Sequence, residues 1–413
     1  VILAQALYAC SLRGSLRDMR EGLYLRLWIL SMALYPLHQC GADFLQAYEQ
    51  LMGPVSEITS NNKNCSWGFQ PDLPTIAKAS SEFEDMIEIK VDDCGFYTLL
   101  MDGFVQSHAA DEHIYHEMLV HPAMMAFAAM NRRAPARVFL GGSGEGAGAR
   151  EALRWRSVQN VTMVDIDQSV TKLTLDWMPQ MSNNSFDDPR LNVLTGDAIR
   201  YLEDMSDGET FDVLVLDFPD PFESNDLVAL YARSVYELCR SRMHEGSVLV
   251  TQSGPCSGFD RRGELVDCEV VESLILKNIA TAFEHVDVMQ HPMATWKPDA
   301  DEASSWSSLT FGTIGRGGAS LRGGEDVGVN GVGIDSPLAL VPASTDDWIS
   351  REIGFGVLRY YDGGMHRAAW AKPLAFKERL LAIVGKARQH APRFNSAGFS
   401  EALRQAARKS EEL

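Results

Sequence analysis

The sequence predicts an α/β protein built on a Rossmann-like, doubly wound parallel sheet, with a small antiparallel β domain before it. Three observations carry this. Between Arg137 and about Gly315, short β-branched or apolar runs alternate with helical segments, the pattern of strands crossing over through helices. One of these runs, VFL, passes straight into the glycine-rich Gly141–Gly148 and then into the helical AREALRW. Upstream, MIEIKV alternates and is followed by Asp92-Asp93-Cys94-Gly95 and FYTLLMDG, two strands around a turn. With 413 residues and 46% hydrophobic content, the chain has ample material for a large core and for two or three domains.

Taken in order, residues 1–80 form an N-terminal extension without a chemical motif, and its polar stretch Ser56–Ser66 reads as a loop. The apolar run Leu23–Leu37 is interrupted by Arg26 and Pro36 before it reaches the roughly 18 to 20 residues a spanning helix needs. It reads as an amphipathic or buried helix; the alternative is a targeting segment, since Arg13, Arg17 and Arg20 precede it. Residues 81–132 hold the hairpin and a helix over Asp111–Met130, with Asp111 as N-cap and Pro122 interrupting or kinking it. The catalytic domain is expected over 133–315. Its strands are Val138–Leu140, Val161–Asp165, Leu191–Leu194, Asp212–Asp217, Ser247–Thr251, His285–Met289 and Ser308–Thr313. Residues 316–346 read as a Gly-rich linker or insertion and 347–413 as a C-terminal segment, helical and charged from Phe376 onward.

The charge balance of 37 basic against 56 acidic residues, net −19, disfavours phosphate backbones and anionic lipid and favours small cations. No nucleic-acid or membrane partner is expected. The seven cysteines are odd in number and scattered without a C-x-x-C pair, which argues against a disulfide framework or a zinc site and for a reducing compartment. The expected location is the cytoplasm, with organelle targeting left open.

Glycines at Gly142 and Gly144 permit a tight turn and close approach of a ligand to a helix N-terminus. Such turns also occur without ligands. The next strand ends in VTMVDID, however, placing Asp165 and Asp167 about twenty residues on, where an acidic side chain in this fold bonds ribose hydroxyls. Thr195-Gly196-Asp197-Ala198 puts another carboxylate at the third strand's end, suited to an adenine amino group, though Asp197 also suits a plain N-cap. Glu145 within the loop would repel a pyrophosphate and suit a cation, so a sulfonium ligand fits better than a dinucleotide. The fold expectation is accordingly that of S-adenosylmethionine-dependent methyltransferases. FDVLVLDFPDP then delivers Asp217 and Asp220 to the same sheet edge, completing a crevice that would concentrate cations.

An ordered set of segments resembles the spermidine synthase family of polyamine aminopropyltransferases. It comprises LLMDGFVQSHAADEHIYHEMLVHP, FLGGSGEGAGAREAL, VDIDQ, FDDPRLNVLTGDA, DFPDP, LYARSVYEL and LVTQSGP. Glu145, the run Asp165–Gln168 and Gly254-Pro255 are most similar to the thermospermine synthase branch. The resemblance spans about Glu82 to Gly315 and returns weakly in GVLRYYDG. It implies transfer of the aminopropyl group of decarboxylated S-adenosylmethionine to spermidine or, alternatively, to putrescine. No metal or other cofactor is implied, decarboxylated S-adenosylmethionine being a co-substrate, and a homo-oligomer, commonly a dimer, is. By residue, it implies Asp217 as catalytic with Tyr115 orienting the amine. Gln106, Gly142, Gly144, Glu145, Asp165, Asp197 and Ala198 hold the nucleoside substrate, and His116, Asp220 and Gln252 face the polyamine.

Several features depart from that pattern: Ser143 stands where glycine is usual, Phe218-Pro219 follows Asp217, and the region around Asp299, Asp301 and Glu302 is longer. Two rivals remain. A methyltransferase would share the loop and Asp165 without needing the Asp217/Asp220 pair, and a non-catalytic relative would bind methylthioadenosine without turnover.

Overall fold

A computed structural model describes residues 73–92, 94–221, 227–255, 258–259, 265–266, 271–293, 306–314, 342–370 and 374–390. The expectations for the extension up to residue 72, for the Gly-rich stretch, for the region around Asp299 and for the last 23 residues lie outside them.

Four strands form an antiparallel sheet in the order β1 (Thr75–Ala79), β2 (Ile87–Val91), β3 (Tyr97–Met101) and β4 (Phe104–His108). It begins before residue 81, where the sequence suggests a boundary, and adds a strand on each side of the expected hairpin. β4 reads FVQSH, too polar to announce a strand, so Gln106, which the sequence presents as a loop residue, sits on sheet backbone. Helix α1 (Glu112–Asn131) follows. It runs through Pro122 unbroken, correcting the expected interruption. The helix is buried over most of its length against β8 (Phe211–Asp217), β9 (Met243–Pro255) and α2 (Ala147–Leu153), and that packing offsets the hydrogen bond proline cannot make. Asp111 stands at the N-cap without a side-chain capping bond.

The main sheet has seven strands, and each lies where the sequence predicts one. They are β5 (Arg137–Gly142), β6 (Asn160–Asp165), β7 (Leu191–Thr195), β8 (Phe211–Asp217), β9 (Met243–Pro255), β12 (His285–Pro292) and β13 (Trp306–Thr313), with two-residue strands β10 (Gly258–Phe259) and β11 (Leu265–Val266) pairing apart from it. The order is β12-β13-β9-β8-β5-β6-β7. Pairing is parallel from β7 to β9, but β13 runs antiparallel to both neighbours, so the sheet is mixed at that end rather than wholly parallel. Both faces are covered, which is why the central strands read as continuous apolar runs. In β8, Val213 and Val215 join one core with α1 and α2 (Ala147–Leu153), while Leu214 and Leu216 join the opposite core with α6 (Arg233–Ser241). The antiparallel sheet packs Ile87, Ile89 and Leu99 against Val170 and Leu173 of α3 (Gln168–Trp177) and Met181 of α4 (Pro179–Ser182).

Helix α5 (Ala198–Asp204) follows β7, and α7 (Lys277–Ala282) precedes β12. At the C-terminal side, α8 (Pro342–Glu352) packs on α9 (Gly363–Trp370), and α10 (Leu374–His390) packs on α7. The segment resembling the family, Gly356–Gly363, is clamped by the buried Glu117 of α1, which accepts the backbone N–H groups of Arg359, Tyr360 and Tyr361 at 2.9, 2.8 and 2.8 Å. Among the described residues, Cys239 is a free, buried thiol. No helix among the described residues is long and apolar enough to cross a membrane.

Candidate active site

The strand order reverses between β5 and β8, since the chain runs β5 to β6 to β7 in one direction and then returns to β8 and β9. Ligands of open α/β sheets bind at such a reversal, outside the carboxyl ends of the strands. There, Gly142 pairs in register with Asp217. Gly142 has φ +86, and a Cβ on it would collide with the Asp217 carbonyl oxygen, so only glycine lets the two strand ends close together. A cavity of about 540 Å³ opens at this point, within the range of small-molecule sites. All twelve residues expected from the sequence line it: Gln106, Tyr115, His116, Gly142, Gly144, Glu145, Asp165, Asp197, Ala198, Asp217, Asp220 and Gln252.

Asp217 is held by two hydroxyls. Tyr115 Oη donates to one carboxylate oxygen at 2.5 Å, and Ser143 Oγ donates to the other at 2.6 Å. Burial pushes its carboxyl above the ordinary value of 3.8, the charge of Glu145 adds to this, and His116 and the two hydroxyls oppose it. Asp220 is raised to about 6 by burial, opposed by its hydrogen bond from Gln252 Nε2. The turn between them is fixed by Tyr231, whose hydroxyl donates to the carbonyl oxygens of Phe218 and Pro219 at 3.1 and 2.9 Å.

At the end of β6, Asp165 faces the glycine loop. Its carboxylate accepts the Asp167 N–H at 2.8 Å, and a Cβ on Gly144 would lie 2.9 Å from it. Burial raises Asp165 to about 6. Asp197 does serve as an N-cap, accepting from Ile199 and Arg200 at 2.7 and 3.2 Å, yet it also lines the cavity. Asp167 caps α3 through Ser169 N–H and accepts the Ser81 hydroxyl at 2.6 Å, tying the antiparallel domain to the site. Gln106 Nε2 is buried with no hydrogen-bond partner among the described residues, a donor that a ligand in the cavity could satisfy.

His116 lines the cavity between two acidic partners. Its Nε2 lies 2.7 Å from Glu145 Oε1, and its Nδ1 lies 2.7 Å from the Glu112 carbonyl oxygen and 3.2 Å from Glu112 Oε2. Both ring nitrogens are thus engaged. Burial works against the imidazolium, but Glu112 and Glu145 outweigh it and raise His116 to about 10. The imidazolium pairs with Glu145 and steadies it. Behind it, Glu112 is gripped by Arg150 at 3.1 and 2.8 Å, and Arg150 also binds Glu151 at 2.7 Å. Sequence inspection flagged Ser143 only as a departure and singled out neither Tyr231, Glu112 nor Arg150. No local pattern marks them, because each acts through a contact distant in sequence.

His116, Glu145 and Asp217 also place ligand atoms within 4.8 Å of one another. Two carboxylates this close suit a cation, an organic ammonium as well as a metal ion.

The raised carboxyls give a pH prediction. Between the ordinary value of 3.8 and about 6, folded Asp165 and Asp220 bind protons that the unfolded chain has lost, so raising pH through that window charges them at a cost to stability. Binding of a small dicationic ligand in the cavity should strengthen across the same window. The expected result is a kcat/KM that climbs with an acid limb near pH 6, and a ligand-induced rise in Tm larger at pH 7.5 than at pH 5. A ligand shift independent of pH would refute it.

The Spermine/spermidine synthase domain family matches residues 112–290. A polyamine aminopropyltransferase of Pyrobaculum neutrophilum is 34% identical over 215 residues, 52% of this chain and 72% of that protein. Polyamine aminopropyltransferase 1 of Hyperthermus butylicus is 39% identical over 170 residues, 41% of this chain; the chain spans only 56% of that relative's length. Among solved structures, a spermidine synthase in complex with the transition state analogue AdoDATO is similar in fold, with a TM-score of 0.57 at 23% identity, covering 75% of this chain and 88% of its own.

Proposed function

The chain belongs to the polyamine aminopropyltransferase family, and we propose that it transfers the aminopropyl group of decarboxylated S-adenosylmethionine to an amine of spermidine, releasing methylthioadenosine. The observation that carries this reading is Asp217 within one cavity with Glu145 and Asp220, three carboxylates at the reversal point of the sheet. Decarboxylated S-adenosylmethionine presents a sulfonium and an ammonium but no carboxylate, so this crevice favours it over S-adenosylmethionine itself.

In this reading Gln106, Gly142, Gly144, Asp165, Asp197 and Ala198 hold the nucleoside, and Glu145, steadied by His116, takes the ammonium of the aminopropyl arm. Asp220 and Gln252 face the polyamine. The attacking nitrogen forms its bond to the methylene beside sulfur as the carbon–sulfur bond breaks, and sulfur leaves with the electron pair as a neutral thioether. The new ammonium then sheds one proton. Asp217, with Tyr115, orients the nitrogen and accepts that proton inside the desolvated site. Alkyl ammonium groups near pKa 10 and ordinary carboxylates near 4 are poorly matched in water, and the upward displacement of Asp217 narrows that gap. Most of the rate enhancement then comes from alignment and electrostatics.

Spermidine as acceptor rests on the likeness of Glu145, Asp165–Gln168 and Gly254-Pro255 to thermospermine synthases. The test is incubation with decarboxylated S-adenosylmethionine and, separately, putrescine or spermidine, with chromatographic identification of products. A tetraamine from spermidine is expected. Spermidine formed from putrescine alone would move the acceptor, and methyl transfer from S-adenosylmethionine without aminopropyl transfer would overturn the reading.

A further inference from the structure

Ser143 is one of five described non-glycine residues with positive φ, at +68°. That left-handed conformation is costly for a residue with a Cβ, and glycine would adopt it freely. Ser143 is also buried, 4% exposed, and its hydroxyl is aimed at the second oxygen of Asp217. The neighbouring helix makes room for it: a Cβ on Gly148 would lie 2.7 Å from Ser143 Oγ. Strain retained at a site is informative when the strained side chain touches the reacting group. The turn itself does not need serine, because its closing bond, Gly146 N–H to the Ser143 carbonyl oxygen at 2.8 Å, uses only backbone.

We propose that Ser143 is a positioning residue for aminopropyl transfer, pinning the outer oxygen of Asp217 so that the carboxylate, clamped between Ser143 and Tyr115, presents one fixed orientation to the attacking amine. This rests on reading Asp217 as the carboxylate that handles the amine. With only Tyr115 remaining, the carboxylate can rotate about its own axis, and alignment of the amine with the departing sulfur is lost in a fraction of encounters. The hydroxyl also favours the charged form of Asp217. The groups that face this carboxyl are Tyr115 and His116 from α1 and Glu145 and Ser143 from the glycine loop, while Asp220 from its own turn acts on Tyr115. Removing the Ser143 donor leaves burial and Glu145 opposed chiefly by His116 and Tyr115, so the carboxyl titrates at higher pH.

The substitution Ser143→Gly separates this role from a structural one, since it keeps the left-handed backbone and deletes only the hydroxymethyl group; Ser143→Ala deletes the hydroxyl and keeps the strain. Two readouts are taken on the full chain. One is the titration of Asp217 in protein labelled with 13C at the aspartate γ carbon, its resonance identified by its absence in Asp217→Asn. The other is the pH profile of aminopropyl transfer. Both variants should raise the Asp217 midpoint and the acid limb of kcat/KM by about one unit and lower kcat about tenfold, with KM for the nucleoside little changed. Ser143→Gly should be the more heat-stable of the two. A Ser143→Gly protein with wild-type kcat and an unmoved midpoint would reduce Ser143 to a turn residue and overturn the proposal. If the wild type transfers no aminopropyl group yet the midpoint still moves, the reaction assignment fails while the Ser143–Asp217 coupling stands. Unmoved midpoints beside normal wild-type transfer give the reverse.

Discussion

Replacing Asp217 by Asn should lower kcat for aminopropyl transfer by about 10²- to 10⁴-fold while methylthioadenosine still binds. The substitution preserves shape and removes the charge. Three consequences follow from the geometry. The attacking nitrogen loses its acceptor, the developing ammonium loses a carboxylate, and the Tyr115 and Ser143 hydroxyls, at 2.5 and 2.6 Å, face a group half of which is now a donor. In the proposed reading the nucleoside is held by Asp165 at the end of β6 and Asp197 after β7, away from the Asp217 clamp, so affinity for methylthioadenosine should change little. Steady-state product formation beside calorimetric titration with methylthioadenosine checks both halves. A folded Asp217→Asn protein that transfers at a near-normal rate removes Asp217 from the reaction.

The parts of this molecule legible in the sequence are those set by local physics. The central strands β5, β6 and β8 are short, largely apolar and end in glycine or aspartate, so they are readable, and the residues at their carboxyl ends fall together because parallel strands share an edge. The strands β1 and β4 were not read because TIAKA and FVQSH lack the apolar alternation that marked their neighbours. Pro122 misled because proline's local penalty is visible in sequence whereas the burial that offsets it is not. The site divides the same way. Asp217 and Glu145 declare themselves by position on a strand end and a glycine loop. The clamp on Asp217 does not, since Tyr115 is 102 residues away and Ser143 is 74. His116 could be placed in the site from the family resemblance, but its role depended on the two carboxylates that fold around its ring.

Changing Arg150 to Met should cost about 3–5 kcal/mol of stability, the largest effect expected from a residue outside the cavity. Arg150 is 7% exposed and donates to both oxygens of Glu112, one oxygen of Glu151 and the Met181 carbonyl oxygen, the last at 2.6 Å. Burial alone would raise Glu112 and Glu151. Instead His116 and Arg150 bring Glu112 to about 2, and His121, Arg150 and Arg154 bring Glu151 to about 2. Carboxyls depressed in this way stabilise the fold above their ordinary value of 4.5 and lose that contribution as pH falls toward 2. Without the guanidinium both carboxylates stay buried with partners missing, so the deficit should be largest near neutral pH and shrink on acidification. At about 2–4 °C per kcal/mol, Tm should fall by roughly 10 °C. Arg150→Lys should recover only part of this, because one ammonium cannot span the acceptors that the planar fork reaches. The loss also travels into the cavity. Glu112 orients His116, and His116 orients Glu145, so the variant should weaken binding of decarboxylated S-adenosylmethionine more than that of methylthioadenosine, which has no ammonium to place. Calorimetric titration with both ligands on protein still folded at 20 °C distinguishes this from general loosening, in which the two affinities would fall together.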